Sequence, residues 1–212
     1  MLAVTGGKGG VGKTTTALGL ARALADRTDR DSRPVVVDAD RDAPDLARTA
    51  GLADPTPGVA ALAAGDSLTA AGRSDPGDRR VALVPAVRPS VDDLATALAR
   101  LRGRDRPVIV DCPAGAGRTV GAALRAADRS AVVTTPRPAA VRDAAKSIAV
   151  AAELDAPAAW AAITRRSSVP PALRSGLDRP TAAVPSADRP LRRPGAKRSY
   201  GRQVDRFVLH NH

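Results

Sequence analysis

The sequence predicts an α/β fold, in which a doubly wound, mostly parallel β-sheet is flanked by helices as a three-layer sandwich. Short, continuous apolar runs recur along the chain, as strands that are covered on both faces require. Stretches with helical periodicity separate most of these runs, and a glycine-rich turn joins the first run to the first such stretch. The chain has 212 residues and is expected to form a single domain, residues 1–212, with a proline- and arginine-rich part at about 165–212.

The predicted elements follow in chain order from these patterns. The strands comprise residues 2–4, 34–38, 81–84, 108–111, 131–134, 158–163 and 182–184. The helices comprise residues 14–26, 90–103, 120–127 and 141–154, the second of them with Ser90 as its N-cap. Residues 41–57 and 72–80 are rich in Asp, Pro and Gly and are predicted to be surface connections. Prolines recur between Ser167 and Arg198, which excludes a long helix there.

The glycine-rich turn carries the clearest indication of function. Residues 7–14 fit G-x-x-x-x-G-K-[ST], the phosphate-binding loop (P-loop), whose backbone N–H groups converge on phosphate oxygens at the start of a helix. We expect Lys13 to reach the β- and γ-phosphates of a nucleotide, and the Thr14 hydroxyl to complete the shell of a Mg²⁺ ion. The turn therefore predicts a P-loop NTPase. The nucleotide contacts predicted in this turn are Gly7, Lys8, Gly9, Gly10, Val11, Gly12, Lys13, Thr14 and Thr15.

A dinucleotide-binding fingerprint overlaps the same turn. Gly7, Gly9 and Gly12 fit G-x-G-x-x-G, with Asp38 at the end of the next strand as a ribose ligand. This interpretation leaves the Lys-Thr pair of the loop without a role, and Asp38 lies beyond the usual distance of about 20 residues. We therefore favour a mononucleotide as the ligand.

Acidic residues follow two of the predicted strands, at the edge of a parallel sheet where ligands bind. Asp111 closes one strand and is expected to hold Mg²⁺, through water. Asp38 and Asp40 follow the second strand, and either carboxylate could orient the attacking water in phosphoryl transfer. We favour Asp40 for this catalytic role and assign Asp38 to a switch. Strand termination and turn formation are the competing interpretations for these carboxylates.

The segment after Asp111, residues 112–117, is rich in alanine and glycine. Its N–H groups could sense a γ-phosphate and become ordered when that phosphate is present. Pro113 and Gly115 are accordingly predicted to be switch residues. Cys112 lies inside an apolar run and is expected to be a small buried hydrophobe.

Composition excludes several classes of function. The aromatic residues are Trp160, Tyr200 and Phe207, too few for RNA recognition by base stacking. A single cysteine excludes a disulfide within the chain and an iron–sulfur site. No segment reaches the roughly 18 apolar residues of a membrane span, and no charged leader precedes the first strand, so a cytoplasmic protein is expected.

Positive charge is concentrated near the C-terminus. Residues 165–206 contain 11 basic and three acidic residues, which accounts for +8 of the net charge of +11. An acidic surface, either anionic membrane or DNA, would suit this part and would place the protein at the membrane or the nucleoid. A solvated basic surface is the alternative. The stripe of Tyr200, Val204, Phe207 and Val208 predicts either a weak membrane anchor or a last helix packed on the sheet.

These motifs resemble the MinD/ParA family of ATPases. Residues 8–14 are similar to its deviant Walker A motif, in which Lys8 matches the signature lysine, and residues 111–115 are similar to Walker B with switch II. The further segments that resemble the family are 38–40, 133–136 and 141–144, the last two particularly the MinD branch, and 184–188, which resembles a segment near the adenine.

The resemblance implies ATP and Mg²⁺ as ligands, with Pro185 contacting the nucleotide. It also implies an ATP-dependent homodimer, in which Lys8 of each subunit reaches the partner's phosphates as a catalytic residue and Asp40 positions the hydrolytic water. Hydrolysis in this family is slow and is stimulated by an activating protein, here unknown, so the protein would act as a dimerisation switch in cellular positioning, partition or regulation. The chain departs from the family at Arg137, where an acidic residue is usual, and at residues 163–166 after the Trp160 strand, where the Asn that often contacts adenine is not apparent.

Two other functions are kept as alternatives. The basic C-terminal part could form an ATP-gated, non-specific DNA-binding surface, as in partition proteins. The chain could instead be a P-loop metabolic enzyme related to dethiobiotin synthetase, which would consume ATP only when its substrate is added.

Overall fold

A computed structural model describes residues 1–29, 32–187 and 190–208, without the side chains of residues 207 and 208. Within this part, eight strands form one sheet in the order β3-β4-β2-β5-β1-β6-β7-β8. Neighbouring strands are parallel except β3 and β4, which form an antiparallel hairpin. The strands are β1 (Leu2–Thr5), β2 (Val35–Asp38), β3 (Arg73–Asp75), β4 (Asp78–Val84), β5 (Val108–Asp111), β6 (Arg129–Thr134), β7 (Ala158–Thr164) and β8 (Thr181–Val184).

Helices cover both faces of this sheet and complete the three-layer sandwich that the sequence predicts. On one face, α1 and α9 pack against Trp160 and the apolar residues of the strands, while α3, α5, α6 and α7 cover the other face. The helices are α1 (Lys13–Ala25), α2 (Leu46–Ala50), α3 (Val59–Ala64), α4 (Leu68–Ala71), α5 (Val91–Leu101), α6 (Arg118–Ala126), α7 (Pro138–Glu153), α8 (Pro171–Gly176) and α9 (Pro194–Gln203).

Local sequence explains why these elements form where they do. The central strands consist of buried, mostly β-branched residues, which suit a sheet that is covered on both faces. Helix α5 begins at the predicted N-cap, because the Ser90 hydroxyl accepts the Asp93 amide and the Asp93 carboxylate accepts the Ser90 amide. Its buried face presents Leu94, Leu98 and Leu101 to the sheet, and each such side chain contributes about 2 kcal/mol by leaving water.

The strand order brings the predicted site residues to one edge. Strand β5 lies between β1 and β2, with Asp111 in register beside Val4 on one side and Asp38 on the other. In the dinucleotide-binding fold the first two strands are direct neighbours. The inserted β5 therefore argues against the dinucleotide interpretation of the glycine-rich turn.

The prediction of a connection at 72–80 is wrong, because this segment contains β3 and the start of the longer β4. Strand β3 has little apolar character, and its inward side chain is the carboxylate of Asp75. Arg22 of α1 binds this carboxylate through Nε and Nη2, at 2.6 and 2.8 Å. A salt bridge to another element thus replaces the apolar pattern that would have identified the strand. The predicted connection at 41–57 likewise contains the short helix α2.

The C-terminal stripe packs against the protein as far as it is described. Tyr200 is 1% exposed and Val204 is fully buried, and the Tyr200 ring lies directly on Gly19 of α1. Tyr200 lies in α9 and Val204 begins the π-helical turn Val204–Val208 that continues it, so both belong to a packed C-terminal helical segment, and a membrane anchor built on them is wrong. The side chains of Phe207 and Val208 lie outside the described residues. Within the described residues, every helix is too short or too polar to cross a lipid bilayer.

Candidate functional site

The glycine-rich loop joins the end of β1 to the start of α1. Gly12 precedes α1 with φ +98°, and Gly10 has φ +71°, values in the left-handed region that favours glycine. Gly7 is also required for space, because a Cβ there would lie 2.6 Å from Cβ of Asp143 in α7. At Gly9 and Gly10, by contrast, an added Cβ would meet no atom within 4 Å. The loop is thus seated against α7 at its start and open on its outer side.

The amide groups of this loop are donors without protein acceptors. None of the N–H groups of residues 9–15 donates to a carbonyl or a side chain in the described part of the chain, whereas the next amide, that of Thr16, bonds to the Gly12 carbonyl at 2.9 Å. Backbone donors in folded proteins are nearly always paired with protein or water. A run of such donors at the positive end of a 13-residue helix fits a phosphate group.

Lys13, the first residue of α1, lies beneath the loop. Its side chain is 9% exposed, and Nζ donates to the Lys8 carbonyl oxygen at 3.3 Å. Burial lowers the pKa of the Lys13 ammonium, and the nearby carboxylates of Asp111 and Asp40 oppose this shift. A buried ammonium that has no carboxylate at bonding distance among the described residues is suited to an added anion.

Asp111 ends β5 directly beside this ammonium. The carboxylate is 2% exposed, and its Oδ1 has no hydrogen-bond partner in the described part of the chain. Burial raises the pKa of Asp111 to about 8; the charge of Asp38 adds to this shift, while a hydrogen bond from the Thr14 hydroxyl and the charge of Lys13 oppose it. A buried carboxylate oxygen without a partner, next to a threonine hydroxyl, is a donor set that fits Mg²⁺.

Asp38 and Asp40 lie at the end of the neighbouring strand β2. Both oxygens of the buried Asp38 carboxylate accept amides, Oδ1 that of Asp40 at 2.9 Å and Oδ2 that of Leu46 at 3.2 Å. Burial raises the pKa of Asp38 to about 7. Asp38 therefore shapes the turn that carries Asp40, and both of its oxygens are engaged in main-chain contacts. Asp40 is half-buried, and its Oδ1 accepts the Ala43 amide at 3.0 Å.

The predicted switch segment, residues 112–117, lies beside the start of the loop, near α7. Pro113 and Gly115 are half-buried, and Gly115 has φ +90°. Gly115 lines a cavity of about 120 Å³ together with Gly7 of the loop and Asp143 of α7. Its backbone is therefore placed beside the phosphate-binding loop, and the switch role of this segment stays a prediction.

A cleft of about 230 Å³ lies beyond the loop and is lined by the predicted contact Pro185. Thr164 and Arg165, at the end of β7, form another part of its wall, and Thr15 contributes from α1. The Thr164 hydroxyl donates to the Val11 carbonyl at 2.8 Å, so the wall of the cleft is bonded to the loop itself.

Most of the predicted site residues converge at this edge. Residues 7–15, Asp38, Asp40 and Asp111 surround the start of α1, and Pro185 lies across the cleft. Lys8 contributes its carbonyl to the site, while its side chain is exposed. Thr164 and Arg165 were not among the predicted site residues, because their contacts in the site are loop carbonyl groups far away in sequence.

Comparison with known proteins agrees with this geometry. The family described as the CobQ/CobB/MinD/ParA nucleotide binding domain matches residues 2–179. The chain belongs to this family. The septum site-determining protein MinD of Synechocystis is 34% identical over 157 residues, which are 70% of this chain and 58% of that protein. The chain thus spans somewhat more than half the length of this MinD relative.

Solved structures of the CobQ/CobB/MinD/ParA family share the fold. MinD of Pyrococcus horikoshii, complexed with Mg-ADP, has a TM-score of 0.82 at 21% identity, over 97% of this chain and 95% of that one. Cobyrinic acid a,c-diamide synthase of Mycobacterium smegmatis, with bound ADP and magnesium, has a TM-score of 0.74 at 24% identity, over 96% and 91%. The predicted three-layer fold and the family resemblance are both confirmed.

Proposed function

We propose that this chain is a MinD/ParA-type ATPase that binds Mg·ATP, closes into a homodimer and acts as a positional or regulatory switch. The observation that carries the proposal is the cradle formed by the amides of residues 9–15, above the buried ammonium of Lys13 and beside the unpartnered oxygen of Asp111. Membership of a nucleotide-binding family supports the same ligand class.

Each residue has a chemical task in this proposal. The loop amides bind the phosphates, and Lys13 transfers its hydrogen bond from the Lys8 carbonyl to a phosphate oxygen. Thr14 and, through water, Asp111 would hold Mg²⁺, which neutralises charge on the β- and γ-phosphates. Asp40 keeps Oδ2 available to orient a water molecule, since its Oδ1 is engaged in the turn.

Lys8 is assigned to the dimer. Its exposed ammonium has no partner among the described residues, and it stands on the open side of the loop. There it can reach the phosphates of a second subunit and neutralise charge that develops during hydrolysis, as an arginine finger does. Slow turnover and stimulation by an unidentified activating protein belong to the same proposal.

Sedimentation of the protein with ATP, with ADP and without nucleotide tests the switch. We expect a dimer only with ATP. Lys8→Ala should bind ATP as the parent does but should fail to dimerise and to hydrolyse it, while Lys197→Ala, which removes one exposed lysine charge elsewhere, should behave as the parent. If Lys8→Ala hydrolyses ATP at the parental rate, the cross-dimer role is wrong.

The positive charge of the C-terminal part supports a second candidate function, which is binding to an acidic surface. Lys197, Arg198 and Arg202 are exposed on α9, and the last two lie one turn apart. Binding to duplex DNA should weaken steeply as salt rises, by counterion release. Retention on anionic vesicles but not on DNA would identify a membrane surface instead.

The likeness to cobyrinic acid a,c-diamide synthase keeps a metabolic enzyme as a further candidate. Such an enzyme would consume ATP only together with an added small-molecule substrate. ATP hydrolysis by the purified protein alone, accompanied by ATP-dependent dimerisation, would exclude this candidate and favour the switch.

A further inference from the structure

We propose that Thr164 and Arg165 are positioning residues that hold the phosphate-binding loop in its anion-binding conformation by bonding two of its carbonyl groups. The inference rests on the proposed nucleotide site and assigns two further residues to it. Thr164 is the last residue of β7 and Arg165 follows it directly, so the scaffold strand itself supplies the contacts.

The contacts are specific to successive peptide groups of the loop. Thr164 Oγ1 donates to the Val11 carbonyl oxygen at 2.8 Å, and Arg165 Nη2 donates to the Gly10 carbonyl oxygen at 2.7 Å. Thr164 Oγ1 also lies 3.1 Å from the Thr134 carbonyl oxygen of β6. A hydroxyl has one proton, and with that proton on the shorter contact Thr164 joins the loop to β7, while β6 lies close to the same oxygen.

Peptide geometry converts these contacts into an orientation of the amides. In a planar trans peptide the C=O of one residue and the N–H of the next point in opposite directions. A Gly10 carbonyl directed at Arg165 turns the Val11 N–H away from Arg165, and a Val11 carbonyl directed at Thr164 does the same for the Gly12 N–H. These N–H groups belong to the set without protein acceptors, so the two side chains orient donors that are available to a phosphate.

The Lys13 contact adds a third peptide to this arrangement. Its Nζ bonds the Lys8 carbonyl and thereby orients the Gly9 N–H in the same manner. Lys13 is expected to exchange this contact for phosphate, whereas Thr164 and Arg165 can keep theirs when a nucleotide binds. Because the loop would already be oriented before the nucleotide binds, ordering it on binding would cost less free energy.

The backbone at Arg165 indicates that the contact is built into the fold. Arg165 has φ +63°, a left-handed conformation that few non-glycine residues adopt. Its side chain is exposed, and its guanidinium finds the loop carbonyl rather than a carboxylate. Arg166 follows with a similar exposed side chain but bonds, through its backbone N–H, to the Val184 carbonyl of β8. It is therefore a matched control for the loss of charge.

Binding of inorganic pyrophosphate and of Mg·ADP, measured by calorimetry, tests the inference. Pyrophosphate probes the loop without the base cleft. We expect Arg165→Ala and Thr164→Val to weaken both ligands by a similar factor of about 5 to 10, the value of a charge-assisted or buried hydrogen bond expressed in affinity. Thr164→Ser, which keeps the hydroxyl, should restore binding, and Arg166→Ala should leave both affinities unchanged.

Other outcomes overturn the inference in distinguishable ways. Weaker ADP binding with unchanged pyrophosphate binding would make Arg165 a contact of the nucleoside. Weaker binding by Arg165→Ala alone, with Thr164→Val equal to the parent, would make Arg165 a direct phosphate ligand. An equal loss of affinity in Arg165→Ala and Arg166→Ala would show that both residues act only through their positive charge. A parent protein that binds neither ligand would overturn the proposed nucleotide site and this inference with it.

Discussion

Two regions of the molecule differ in how their polar groups are paired. One is the edge of the sheet at residues 7–15, called the loop edge, and the other is the contact between α9 and the sheet, called the seam. At the loop edge, the amides of residues 9–15 and Asp111 Oδ1 have no protein partners in the described part of the chain. At the seam, the Trp160 indole N–H donates to Gln203 at 2.9 Å, and Gln203 in turn donates to Ser199 Oγ at 3.2 Å. Paired buried groups stabilise a fold, whereas the loop donors and the Asp111 oxygen without protein partners are available to a ligand. The comparison separates the residues that bind from those that hold the scaffold.

Glycine shows the same contrast. Gly9 and Gly10 leave open space on the loop, while Gly19 in the middle of α1 leaves space that the Tyr200 ring already fills. Substitution should therefore affect binding at the first place and folding at the second.

The largest effect is expected for Lys13→Ala. Loss of the buried ammonium should weaken Mg·ATP binding by about 100-fold or more, because phosphate charge would then enter the site without a partner. The melting temperature should not fall, since burial already disfavours this charge in the folded protein. Calorimetry and thermal unfolding measure the two properties. Lys197→Ala is the control, and a Lys13→Ala protein that binds ATP normally would contradict the assignment of the site.

Gly19→Ala should lower the free energy of unfolding by about 1–3 kcal/mol, because the added methyl group overlaps the Tyr200 ring. Urea denaturation measures this loss. The affinity for Mg·ATP of the protein that remains folded should be unchanged. Gly195→Ala in α9, where an added Cβ meets nothing within 4 Å, should instead be neutral or stabilise by up to about 1 kcal/mol. Equal stabilities of the two variants would show that Tyr200 does not pack tightly on α1.

A smaller effect is expected for Gln203→Leu, which removes the acceptor of the Trp160 indole N–H. The free energy of unfolding should fall by about 1 kcal/mol, the typical net value of one hydrogen bond. Trp160 is the only tryptophan of the chain, so its fluorescence reports on this seam in a denaturant titration. Arg202→Leu, at the exposed neighbouring position, should leave the transition where it is. A nucleotide affinity altered by Gln203→Leu would contradict the separation of the two regions.

Local sequence was sufficient for the parts of the fold and site that depend on short-range patterns. The loop at residues 7–14, Asp111 at a strand end and the capped helix α5 each carry their signal within a few residues. Strand β3 does not, because its buried side chain is the carboxylate of Asp75, whose partner Arg22 is far away in sequence.

The role of Thr164 and Arg165 was beyond local patterns for the same reason. Their partners are carbonyl groups about 150 residues earlier in the chain. Every residue has a main-chain carbonyl group, so the side chains of the loop do not indicate which carbonyl groups are the acceptors. The close approach of Asp143 to Gly7 is likewise visible only after α7 has packed. The roles of Lys8 and Asp40 in catalysis stay predictions.

The buried carboxylate of β3 also bears on how copies of the protein meet. A β-strand of another molecule that paired with β3 would lie beside the inward-pointing carboxylate of Asp75, which forms a salt bridge with α1. Such inward-pointing charges discourage edge-to-edge aggregation. Growth of the sheet from molecule to molecule is thereby resisted at β3. The proposed dimer would then use another face of the protein, where the contact can be reversible.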